Sequence, residues 1–174
     1  MPHEVFDLNP VDYLTADAVG EPGNRVFYLQ GRKGSEVVTL ICEKEHVSAL
    51  ALSIEQLLLS LVEGKAENVV DPDPILETGM DLQWPLEPLF RVAQLNLGYD
   101  PASGWLVVIA YELLPEDDPA TPSVARFWAS QAQMRALAIH AQQVVGAGRP
   151  ICAMCGQPID PEGHFCPRKN GHRT

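Results

Sequence analysis

The chain has 174 residues, 46% of them apolar and 20% charged, with 23 Asp plus Glu against 12 Lys plus Arg and a formal net charge of −11. That length favours one domain with at most a small appendage, enough to bury a core without disulfides, and the composition excludes a largely disordered chain. The acid excess argues against a main surface that grips nucleic acid or an anionic membrane. No run approaches the roughly 18–20 consecutive apolar residues of a membrane span. The opening MPHEVFDLNP has neither the basic nor the apolar region of a signal peptide. These features predict a globular cytoplasmic protein.

In chain order, LTADAV (14–19) and RVFYLQ (25–30) read as strands joined across the turn EPGN, with SEVVTLICE (35–43) as a third. VGEPGNR (19–25) places Arg25 beside glycines, as a phosphate-binding loop would, but no helix follows and a β-turn accounts for it better. Cys42, inside VVTLIC, reads as a small buried hydrophobe with no chemical role. A helix is predicted over 46–61, with Val47, Leu50, Ile54, Leu57, Leu58 and Leu61 on one stripe and Gly64 as its stop. The Pro- and acid-rich segment around 68–88 is a connector expected to wrap the surface, with Trp84 partly exposed and available to a partner.

LFRVAQLNLGY (89–99) and GWLVVIAYEL (104–113) then read as strands joined by the turn DPASG, followed by PSVARFWAS (122–130). WLVVIAY is nearly all apolar and is expected to be a central strand. PEDDPATP (115–122) reads as a solvated acidic loop. A second helix is predicted over 133–148, opened by the capping box Ser130-x-x-Gln133 and ended by Gly146, Gly148 and Pro150. Trp105 and Trp128 are expected to be core or packing residues, and His46 and His140 to be structural.

The second helix repeats the phase of the first. Adding 87 to Val47, Leu50, Ile54, Leu57 and Leu58 gives Met134, Leu137, Ala141, Val144 and Val145, and the preceding strand follows the same shift. The expected fold class is α+β: two β-β-β-α repeats with a mainly antiparallel sheet, plus a small C-terminal zinc ribbon-like module. The body would span 1–148, with halves at about 14–64 and 89–148 around a connector at 65–88, and the tail would span 149–174.

The tail carries the one strong chemical motif. Cys152-x-x-Cys155-Gly lets two thiolates reach one tetrahedral ion, and His164-x-Cys166 begins nine residues after Cys155. Alternation along a strand puts His164 and Cys166 on one face. Three thiolates and one imidazole match a closed structural Zn2+ site, with His172 as the alternative fourth ligand. Gly156 and Pro158 oppose a redox pair opening a helix.

Together with PHEVFDL and VGEPGNRVFYLQ (19–30), the span GRPICAMCGQPIDPEGHFCPRKNGHR resembles an uncharacterised bacterial domain-of-unknown-function family, commonest in high-GC Gram-positive bacteria. The likeness covers nearly the whole chain. It implies a short protein encoded beside a histidine-phosphatase-like and a phosphoinositide-kinase-like protein, and it supplies no catalytic residues. Family tails often carry Tyr where this chain has His172, which favours His164.

Three functions compete. The first is a non-catalytic adaptor that presents the zinc tail to another protein. The second is a nucleic-acid-associated zinc ribbon, with Arg149, Arg168, Lys169 and Arg173 on phosphates. The third is an enzyme with a pocket between the halves. Four basic and two acidic side chains give residues 149–174 a formal +2 and leave −13 on residues 1–148, so the acidity belongs to the body.

Overall fold

A computed structural model describes residues 3–21, 23–64 and 80–147. Along them run strands β1 (Val5–Leu8), β2 (Tyr13–Val19), β3 (Val26–Lys33) and β4 (Glu36–Cys42), helix α1 (Lys44–Gly64), strands β5 (Pro88–Tyr99), β6 (Leu106–Glu112) and β7 (Val124–Ala129), and helix α2 (Gln131–Ala147). The class is α+β, and each strand and helix predicted above is present. β1 was not anticipated, because the four residues VFDL are too short to show a period. The zinc ribbon-like module falls in 149–174, outside the described residues.

One seven-stranded sheet holds all the strands, in the order β1-β7-β6-β5-β4-β3-β2. Hairpin neighbours β2/β3, β3/β4, β5/β6 and β6/β7 are antiparallel, as predicted, but β4/β5 and β1/β7 are parallel. β6 is interior, paired on both sides as WLVVIAY required.

The inward face follows the two-residue period across the registers. Leu14–Gly31–Val38 and Ala16–Leu29–Leu40 are rows of one core face, continued by Phe90, Val92, Val108 and Phe127. Both helices add to this core, α1 through Val47, Leu50, Ala51 and Ile54 and α2 through Met134, Leu137, Ala138 and Ala141. Each large apolar side chain so buried contributes about 1.5–3 kcal/mol. By length and apolar composition alone α1 could cross a membrane, with mean hydropathy 1.3 over Lys44–Glu63, but its inner stripe lies in this core.

The ends of the sheet curl towards each other. Residues 9–12 join β1 to β2, and their backbone reaches both flanks: Val11 N–H donates to Trp128 O at 2.8 Å and Asp12 N–H to Arg32 O at 2.7 Å. β5 does alone what β1 and β2 do together. Its first residues, to Arg91, pair in parallel with β4, and from Val92 on it pairs antiparallel with β6, with an irregularity between Val92 and Gln94. β1 likewise pairs in parallel with β7, and β2 antiparallel with β3.

The opposite face of β2–β4 is polar yet buried. Thr15, Gln30 and Thr39 lie in register across the three strands. Gln30 Nε2 donates to Thr39 Oγ1 and to Gln83 O, both at 3.0 Å, and Gln30 Oε1 accepts from Gln83 N–H at 2.7 Å. Thr15 Oγ1 donates to Met80 O at 2.6 Å, and the Tyr13 hydroxyl donates to Asp81 O. The described part of the connector is thus laid on the sheet and held by hydrogen bonds that satisfy every member of the row.

Candidate functional site

The two helices share one bond of their N-terminal caps. At α2, Ser130 N–H donates to Gln133 Oε1 at 2.9 Å, and Gln133 N–H donates to Ser130 Oγ at 3.1 Å, which is the predicted capping box. At α1, Glu43 N–H donates to His46 Nδ1 at 3.0 Å, so the imidazole replaces the amide. Both second groups then reach across to sheet-side backbone: His46 Nε2 lies 3.2 Å from Ala93 O of β5, and Gln133 Nε2 donates at 3.3 Å to Val11 O in the link between β1 and β2. His46 is therefore structural, as expected.

His140, on α2, is half-buried with Nε2 3.0 Å from Asp17 Oδ2 on β2. Arg25 is likewise a packing residue: its guanidinium sits 4.7 Å from the Phe27 ring centroid and donates to Val144 O near the end of α2 at 2.7 Å. That caps a helix carbonyl, which is a common use of arginine at a C-terminus. Cys42 is buried, and its burial pushes the thiol up to about 12, so it is chemically quiet. Trp84 is 67% exposed, in keeping with its place on the connector. Trp105 and Trp128 are half-buried rather than core, and Trp128 Nε1 donates to Asp7 Oδ1 at 3.0 Å.

An apolar groove of about 320 Å3 lies between the helices, lined by Glu55, Leu58, Leu59 and Val62 of α1 and Arg135, Ala138 and Ile139 of α2. Leu58 belongs to the predicted stripe, but Leu59 and Val62 do not and are exposed. The sequence did not single out this groove, because helical phase identifies a face and not what covers it.

The proposed metal ligands Cys152, Cys155, His164 and Cys166, the alternative His172, and the basic residues Arg149, Arg168, Lys169 and Arg173 all lie outside the described residues. Among the described residues, no group of three or more His, Cys, Asp or Glu is placed to hold a metal ion.

A family model, that of DUF3090, described as a protein of unknown function, matches residues 6–166. The chain belongs to the DUF3090 family. The match runs from β1 through the body to Cys166, and so takes in both halves of the cysteine motif of this family member. No curated protein and no solved structure matches the chain.

Proposed function

We propose that this DUF3090 member is a non-catalytic zinc-binding adaptor of the cytoplasm, in which the β-rich body carries a zinc ribbon-like tail for recognition by another protein. The observation that carries this reading is the ligand spacing Cys152-x-x-Cys155…His164-x-Cys166. Three thiolates and an imidazole fill a tetrahedral ion and leave no position for water, which makes the ion a structural element. Inclusion of these four residues in the family match supports the assignment of His164 over His172. The kinase-like and phosphatase-like gene neighbours implied by the family resemblance are the first partners to test.

The caps also support reading the body as an internal repeat. Glu43 and His46 shifted by 87 fall on Ser130 and Gln133, and the same backbone-to-side-chain bond recurs at both.

Metal analysis of the full chain beside Cys152→Ser, Cys166→Ser, His164→Ala and His172→Ala tests the site. About one zinc per chain is expected in the parent and the His172 variant, and loss in the other three. Retention of zinc by a chain ending at Gly148 would overturn the ligand assignment. Recovery of a neighbour protein by the parent but not by Cys166→Ser supports the adaptor role, and equal recovery removes the tail as the presenting surface. Salt-dependent binding of RNA or DNA by the parent would instead favour Arg149, Arg168, Lys169 and Arg173 as phosphate contacts.

A further inference from the structure

Among the described residues, the body has an unpaired strand edge. β5 pairs with β4 only between Pro88 and Arg91, whereas its pairing with β6 continues to Tyr99. Past Arg91, the edge facing away from β6 has no strand beside it among the described residues. Asp100 N–H donates to Trp105 O at 2.9 Å, which sets the phase of the β5–β6 ladder. The alternation of an antiparallel ladder then directs the N–H and C=O of Asn96 and Gly98 to β6, and those of Leu95, Leu97 and Tyr99 to the open edge.

Helix α1 forms the other wall of this edge. Ser53, Gln56 and Leu57 stand across from Leu95, Asn96 and Leu97 over a groove of about 640 Å3. A recess of about 110 Å3 extends it to Glu45 and His46. By contrast, α2 is tied down to β2 and its flanks by His140–Asp17 at 3.0 Å, Arg25–Val144 O at 2.7 Å and Gln133–Val11 O at 3.3 Å. Between α1 with its cap residue and β5, the hydrogen bonds among the described residues are Arg91 Nη1 to Glu43 Oε1 at 3.0 Å and His46 Nε2 to Ala93 O at 3.2 Å, both at the start of the helix, which leaves the stretch beyond them open.

We propose that this groove docks an extended peptide segment of a partner protein, which adds to β5 as a further strand beneath α1. Outward backbone groups recurring every second residue, roughly 7 Å apart, are matched by another extended backbone and not by a helix or a compact ligand. The half-buried Leu57, Leu95 and Leu97 suit alternate apolar side chains of that segment, and the neutral Ser53, Gln56 and Asn96 suit the polar ones between. Glu45 at the recess, on a body of formal charge −13, selects a Lys or Arg at the adjoining end. None of the residues that line this groove is a proposed zinc ligand, so the proposal stands whether or not the adaptor reading holds.

Residue-resolved amide exchange on the full chain, with a peptide selected from a random phage-displayed library, tests it. In the free protein Leu95, Leu97 and Tyr99 amides should exchange much faster than those of Asn96 and Gly98, and the selected peptide should protect the first three. Ser53→Trp, a change at an exposed wall position, should weaken peptide binding by about tenfold or more, whereas Ser60→Trp on exposed surface should not. Leu95 and Leu97 amides already protected in the free monomer would overturn the proposal, since the edge would then be covered by the chain itself. So would protection that grows with protein concentration alongside a dimer mass, which would make the occupant a second copy. Failure to select any peptide, protection elsewhere, or indifference to Ser53→Trp would also sink it.

Discussion

Gly31 of β3 lies against the ring of Phe127 of β7, although three strands separate them in the sheet. A Cβ added at Gly31 would stand 2.4 Å from Phe127 Cδ1, well inside any contact a real side chain makes. Phe127 is fully buried and Leu8 closes the other side, so the ring has little room to retreat. The curl of the sheet therefore depends on a missing methyl group.

Gly31→Ala is expected to destabilise the body by about 1–3 kcal/mol through overpacking. A lowered urea midpoint with an unchanged slope would register it. The double variant Gly31→Ala with Phe127→Leu should recover part of the loss, since the smaller side chain makes space for the new methyl. An unaltered midpoint in the single variant would show that β3 and β7 are not in contact.

Gln30 is the central member of the buried polar row, and three of its bonds hold Gln83 and Thr39. Replacing it by Leu leaves the Gln83 N–H and C=O without their partner. Loss of stability of about 2–4 kcal/mol is expected, one unsatisfied buried group costing about 1–3 kcal/mol. Hydrogen exchange should accelerate at residues 80–83 before it accelerates in β6. Uniform acceleration would mean that the connector is not held through Gln30.

The caps offer a matched pair. His46→Ala and Gln133→Ala should each cost about 1 kcal/mol, the usual value of an N-terminal cap. His46→Gln should recover most of the first loss, because an amide oxygen can take the Glu43 N–H as Gln133 takes that of Ser130. Thermal denaturation of the four proteins decides the matter. Failure of Gln to rescue would assign His46 a role beyond capping.

Alkaline pH should weaken the fold. Burial, with the Glu43 charge adding to it and a backbone hydrogen bond from Leu29 opposing, pushes the Cys42 thiol from its ordinary 9.0 up to about 12. Burial and the neighbouring Asp81 carboxylate push Tyr13 from 10.0 up to about 12. In that window the folded chain holds protons that the unfolded chain has released, so stability is fully present below about pH 9 and declines as pH rises through about 12. Cys42→Ala should flatten the decline, and mass mapping should find Cys42 unalkylated by iodoacetamide at about pH 8 until the chain is unfolded. Ready alkylation of the native protein would contradict its burial.

Much of this architecture is readable in the residues themselves. The alternation in RVFYLQ and VARFWA, the apolar run WLVVIAY and the stripe from Val47 to Leu61 locate β3, β7, β6 and α1, because burial on one side imposes a period on β3, β7 and α1 while cover on both faces makes β6 apolar nearly throughout. Ser130 and Gln133 announce the start of α2 for the same local reason. β1 is not legible in VFDL, which becomes a strand by pairing with β7, 119 residues away at Val5–Val124. The cap at α1 was hidden too, as no rule of composition marks a histidine for a position usually held by Glu or Gln.

By itself, then, the sequence determined the local elements, the α+β class, the acidity of the body and the one motif with metal-ligand spacing. The tertiary structure alone decided which strands are neighbours, that Gly31 lies under Phe127, that a buried Gln30 holds the connector, and that among the described residues no strand covers the edge of β5 past Arg91. The physical reason is the range of the forces involved. Periodicity and capping act within a few residues and leave their mark in order along the chain. Pairing between distant strands, and the gaps it leaves, depends on how the whole sheet curls to bury its core.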